Sequence, residues 1–97
     1  MVEEKLKEMG IQVPAAAKPL AAYVPAVKTD GYVYTSGQIP LVDGKLCCTG
    51  KVGKDVALED AYAAAKICAI NCLAAIKTVV GSLDEIKQVV KVVGFVN

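Results

Sequence analysis

The chain opens on apolar residues recurring at helical spacing in a polar stretch. Val2, Leu6 and Met9 share one stripe, Glu3 and Lys7 stand four residues apart, and Gly10 is a natural stop. This predicts a short amphipathic helix over 2–9. Residues 11–19 hold Pro14, Pro19 and three alanines between them, the composition of a linker. The pattern then changes to short apolar runs. Runs at 20–27 and 32–36 flank Thr29, Asp30 and Gly31. Asp-Gly between apolar runs predicts a hairpin, because a type I′ turn needs positive φ at both central positions. Asp43 and Gly44, between 39–42 and 45–48, predict a second, shorter hairpin. Gly50 and Gly53 open a loop.

Residues 56–80 carry the main helical signal. Ala61, Ala65, Cys68, Cys72, Ala75, Ile76 and Val79 form the predicted buried stripe. Most of these side chains are small, so the helix can lie close on a sheet. Glu59 and Asp60 stand near its start and Lys77 near its end, as the helix dipole favours. Gly81 is the predicted stop. Ser82 and Glu85 have the spacing of a capping box for a single turn. Residues 86–96 are β-branched and apolar on both faces apart from Lys87, Gln88 and Lys91, which predicts an interior strand covered on both sides. Hairpin, hairpin, helix, strand is an α+β order, with a helix on one face of a mixed sheet.

Composition narrows the function. A chain of 97 residues bounds the answer to one domain. At 55% hydrophobic it is apolar for its size, and monomers avoid large exposed apolar patches, so an oligomer or a partner is expected. There is no His, so no Ser–His or Cys–His dyad and no His-ligated metal. All eleven cationic side chains are Lys, so no guanidinium can clamp a carboxylate or phosphate. A net charge of +1 argues against nucleic acid as a partner. The longest uncharged run in the most apolar region, 67–76, is far too short to span a bilayer, and the charged N-terminus is not a signal peptide. The cytoplasm and reduced cysteines are the expectation.

Three groups of side chains could carry chemistry. Cys68 and Cys72 are four apart inside a predicted long helix, which suits core packing better than a zinc knuckle, so no metal is expected. Cys47 and Cys48 would point to opposite faces of a strand, so at most one of them could face a pocket. Tyr32 and Tyr34 share a face; without basic neighbours they are expected to pack rather than stack on RNA. Thr35-Ser36-Gly37-Gln38 is a polar exit from an apolar strand. There Gly would let a ligand approach the backbone, although Ser satisfying local backbone groups is the simpler reading.

Residues 22–27 (Ala-Tyr-Val-Pro-Ala-Val) and 30–40 (Asp-Gly-Tyr-Val-Tyr-Thr-Ser-Gly-Gln-Ile-Pro) resemble the amino-terminal half of the RidA/YjgF family, also called endoribonuclease L-PSP or translation initiation inhibitor. The match continues through Ala64, Ala65, Asn71 and 73–75, then 86–96, and covers 18–97. Residues 1–17 stand outside it as an amino-terminal helix and linker. The leading helix and the 41–53 stretch look like a longer subgroup. The resemblance implies a chorismate-mutase-like α+β fold, a homotrimer with clefts between subunits, and no cofactor. It implies hydrolysis of 2-imino or enamine acids to 2-oxo acids and ammonia. Tyr23, Ser36 and Gly37 match positions lining the family's pocket; no catalytic residue can be carried over. The arginine that grips the substrate carboxylate belongs to a carboxy-terminal helix-and-strand segment absent from these 97 residues, so this chain alone is expected to be inactive. The alternatives are a non-catalytic oligomeric module binding small molecules or proteins and, least supported, a ribonuclease.

Overall fold

A computed structural model describes residues 1–16 and 24–97. Its elements are helix α1 (Val2–Glu8), strands β1 (Ala26–Thr29), β2 (Tyr32–Thr35), β3 (Leu41–Val42) and β4 (Lys45–Leu46), helix α2 (Leu58–Lys77) and a 3-10 turn, Leu83–Glu85. The predicted α+β order holds through the helix. The first strand's predicted start, 20–23, lies outside the described residues.

Both hairpins form at the Asp-Gly pairs. Asp30 and Gly31 have φ of 45° and 81°, and Asp43 and Gly44 have 50° and 80°, the left-handed conformations of a type I′ turn. β1 and β2 pair antiparallel from Ala26↔Thr35 to Thr29↔Tyr32, and β3 pairs with β4 at Leu41↔Leu46 and Val42↔Lys45. The strand pairs among the described residues are these two antiparallel ladders, not one mixed sheet. α2 packs across β1, β2 and β3.

Gly10 stops α1 as predicted. It takes φ 72°, its N–H donates to Lys7 O at 3.0 Å, and the Ile11 N–H donates to Leu6 O at 2.9 Å, closing a Schellman motif. α2 ends at Lys77, four residues before Gly81, where the Thr78 hydroxyl donates to Ala75 O at 2.6 Å. The helix buries Ala64, Ala74 and Ala75 but exposes Ala65, a member of the predicted stripe. Ala64 lies seven residues before Asn71, on the face of α2 that meets the hairpins. Ala65 is turned about 100° further round.

The capping box forms. Ser82 Oγ accepts from the Asp84 N–H at 3.1 Å, and the Glu85 carboxylate accepts from the N–H groups of Gly81 and Ser82 at 2.8 and 3.1 Å. α1 locks onto this turn. The Glu3 carboxylate accepts from the Ser82 hydroxyl at 2.7 Å and the Leu83 N–H at 3.3 Å, while Asp84 accepts from the Glu3 N–H at 2.8 Å. Beneath lies Leu83, fully buried against the end of α2.

The interior strand predicted over 86–96 is not formed. These residues carry no ladder, and Val89, Val90, Val92, Val93, Phe95 and Val96 are 61–95% exposed. β-branched side chains favour an extended backbone, but a ladder needs a neighbouring strand edge, and none lies alongside among the described residues. The accessible surface, 7573 Å², exceeds the roughly 5,300 Å² expected of a compact monomer of this mass. The core is correspondingly thin.

Leu83→Ala should therefore cost about 2–4 kcal/mol in urea unfolding, enough to approach the total stability of so small a core. Ser82→Ala should cost about 1 kcal/mol by the same measurement. The Ser82 and Gly81 N–H groups hold the Glu85 carboxyl below its ordinary pKa. Its contribution to stability is thus present above the unfolded carboxylate pKa and lost as pH falls through the lower folded value. Glu85→Gln should flatten that acid limb in unfolding curves taken across the carboxylate range.

Candidate functional site

β2 runs directly into Ser36, Gly37 and Gln38. The Ser36 N–H donates to Pro25 O at 2.9 Å, extending the β1–β2 ladder by one bond. The Ser36 hydroxyl donates to the same carbonyl at 3.3 Å and accepts from Gln38 Nε2 at 3.4 Å. Its proton is thereby engaged, while its oxygen retains acceptor capacity. Gly37 is exposed, with nothing within 4 Å of where a Cβ would stand, so its backbone is open to approach. Tyr23, the third predicted pocket residue, lies outside the described residues.

A residue given no role in the sequence reading holds this segment in place. Asn71 Nδ2 on α2 donates to Ile39 O at 3.0 Å and to Leu41 O at 3.1 Å. These carbonyls flank the passage from the Ser36 turn into β3. One amide thus ties the passage between the hairpins, and the start of β3, to the helix. The available signal was a lone amide on a helix face of Ala and Cys, where a half-buried polar group needs partners. Beside it the Thr35 hydroxyl donates to Cys72 Sγ at 3.8 Å, which places Cys72 against β2 as a packing group.

Thr35 and Val33 face α2, so Tyr32 and Tyr34 face away from it. The rings share a face, with centroids 6.5 Å apart, but at 52% and 61% exposure they are not the packed pair predicted. Strand alternation gives β2 only one face toward the helix, and Val33 and Thr35 take it.

Two surface clefts stand out among the described residues, and neither is lined by Ser36 or Gly37. One, of about 810 Å³, runs between α1, residues 10–13 and Lys77. The other, of about 440 Å³, is lined by Cys47, Cys48, Thr49, Asp55, Val56, Asp60, Ala63 and Ile67. The adjacent cysteines were expected on opposite faces. Both line this cleft, with their sulfurs 4.0 Å apart, because β4 ends at Leu46 and the chain bends there, breaking the strand alternation. Partial burial raises the Cys48 thiol pKa, and Cys47, Asp60 and Cys68 nearby raise it further. Burial also raises that of Cys68. Among the described residues no group of three or more Cys, Asp or Glu side chains could hold a metal ion, and no helix is long and apolar enough to cross a membrane.

The family profile "YjgF/chorismate_mutase-like, putative endoribonuclease" matches residues 3–97. The chain belongs to this family. It is 38% identical over 96 residues to Protein TCP17 of Trypanosoma cruzi, covering 99% of this chain and 60% of that protein. The crystal structure of a Shewanella oneidensis MR-1 protein described as a putative endoribonuclease superposes with a TM-score of 0.81 at 35% identity, over 89% of this chain and 57% of that one. The structure of Atu1372 from Agrobacterium tumefaciens, described as of unknown function, gives 0.67 at 43% identity, over 79% and 46%. The fold is the α+β, chorismate-mutase-like fold of these relatives, of whose own length the chain spans roughly half.

Asn71→Ala should cost about 1–3 kcal/mol and speed amide exchange at Leu41 and Cys47. Asn71→Asp should be worse than Ala. It keeps the shape but sets carboxylate oxygens against two carbonyl oxygens. Urea unfolding of both variants, with residue-resolved exchange, checks the order.

Proposed function

We propose that the whole protein hydrolyses reactive 2-imino or enamine acids to 2-oxo acids and ammonia without a cofactor, and that these 97 residues alone are inactive. The observation that carries the reading is the Ser36–Gly37 segment, tied to Pro25 O, followed by carbonyls held by Asn71, and found in a chain of this family. The chemistry asks little of the protein. The imine carbon is already electrophilic. Water adds to it, the carbon–nitrogen bond breaks, ammonia leaves and a carbonyl remains. The protein has to orient substrate and water. A Ser36 oxygen whose own proton is engaged can accept from the imine N–H, and the bare Gly37 backbone admits the substrate alongside. Tyr23 is assigned to the same wall by resemblance.

Two requirements lie beyond a single copy of this chain. The carboxylate needs a cationic clamp, and the chain has no Arg. Ser36 and Gly37 line neither of the two clefts described above, and a wall facing them from a neighbouring copy would enclose a substrate there. A homotrimer with intersubunit clefts would supply one. Its support is the apolar face of the β1–β2 hairpin, where Val27, Tyr32 and Tyr34 are 48–61% exposed. The reading places the protein in the cytoplasm, where the four free thiols of Cys47, Cys48, Cys68 and Cys72 persist.

A second reading is a non-catalytic oligomeric binding module for small 2-oxo acids, favoured by the missing guanidinium. Ribonuclease action is the least supported, since this chain offers neither His nor Arg to phosphodiester chemistry.

The test is the decay of an enzymatically generated 2-imino acid. The 97-residue chain should leave it at the buffer rate. A chimera carrying the carboxy-terminal segment of the Shewanella relative should accelerate it, and Gly37→Val in that chimera should abolish most of the gain. A folded, oligomeric chimera with no acceleration that still binds 2-oxo acids by calorimetry would establish the binding module instead.

A further inference from the structure

Cys47 and Cys48 take no part in the proposed reaction, yet the bend after β4 sets both in one cleft. Cys47 is exposed, Cys48 is half-buried, and their sulfurs stand 4.0 Å apart. The cleft walls add two carboxylates, Asp55 and Asp60, beside the apolar Val56, Ala63 and Ile67. Two neighbouring thiols in an acidic cleft suit a thiophilic ligand that carries positive charge. We propose that Cys47 and Cys48 form a dithiol exchange site for small cationic disulfides.

The exchange balances without any further reactant. The Cys47 thiolate attacks one sulfur of the disulfide, a Cys47–ligand disulfide forms, and the first ligand thiolate leaves and takes up a proton. Cys48 then loses its proton to solvent and attacks the Cys47 sulfur. The Cys47–Cys48 bond forms, and the second ligand thiol departs. Two protein thiols are oxidised, and one small disulfide is reduced to two thiols. Exposure makes Cys47 the entry point. Cys48, half-buried beside it, is placed to attack the Cys47 sulfur once the mixed disulfide has formed.

The product is a strained bridge. Adjacent Cα atoms are about 3.8 Å apart, against roughly 4.4–6.8 Å in ordinary disulfides. Such a bond is readily reversed by added thiol. Its closure also pulls on the Cys47 N–H, which donates to Pro40 O at 3.0 Å, next to the carbonyl held by Asn71. Oxidation would therefore loosen the segment behind the Ser36 turn.

Trypsin releases both cysteines in one peptide, 46–51, and the other two in 67–77, so mapping locates the bond. Cystamine, a small disulfide bearing two ammonium groups, should remove two hydrogens from the folded chain, all within 46–51, and excess dithiothreitol should restore them. It should act about tenfold faster than an anionic disulfide of similar size such as dithiodipropionate. Cys48→Ser should stop at a stable mixed disulfide on Cys47. In urea the charge preference should vanish, and 67–77 should react as well. Equal rates for the two disulfides in the folded chain, a cross-link joining 46–51 to 67–77, or a lasting adduct on the unsubstituted chain would each overturn the proposal.

Discussion

One side-chain amide carries the architecture around the candidate site. Asn71 gives its two N–H groups to the carbonyls of Ile39 and Leu41, 32 and 30 residues away in sequence, and so joins a helix to the passage between two hairpins. That passage has no ladder of its own. Without the amide, the passage would keep only its backbone bonds, Leu41 N–H to Ile39 O and Cys47 N–H to Pro40 O, and would lose its tie to the helix. The same contact sets the rotation of α2. With Asn71 facing the hairpins, Ala64 and Ala75 must lie on the covered side, and the small residues there let the helix approach closely.

A second, separate anchor follows the C-terminal end of α2. Glu3, Ser82, Asp84 and Glu85 share a closed set of hydrogen bonds over Leu83. Between the two anchors the interior is mostly alanine. Hydrophobic stabilisation scales with apolar area removed from water, and alanine contributes little. The chain's stability therefore leans on directed polar contacts, while much of its apolar surface stays outside. That surface includes the outer face of the first hairpin and residues 89–96.

The candidate site was legible where its residues act on near neighbours. Ser36 and Gly37 stood out as a polar exit from an apolar strand, and the structure makes that exit a turn tied to Pro25. The clefts themselves were not legible, because they form between segments distant in sequence: α1 with Lys77, and the end of β4 with α2. The two cysteines were misjudged for a related reason. Strand alternation extends only as far as the strand, and β4 ends one residue before Cys47.

What the sequence determined by itself is local. Asp30-Gly31 and Asp43-Gly44 make turns because their own φ preferences match the type I′ geometry. Gly10 ends a helix because it lacks a Cβ, and Ser82 with Glu85 caps a turn because three-residue spacing brings their side chains to each other's backbone. Only the tertiary structure decided which face of α2 is covered, that Tyr32 and Tyr34 look outward, and that 86–96 stays unpaired. Those outcomes depend on partners distant in the chain or outside it. A β-branched run states a readiness to pair, but a ladder forms only when a second edge is present to receive its hydrogen bonds.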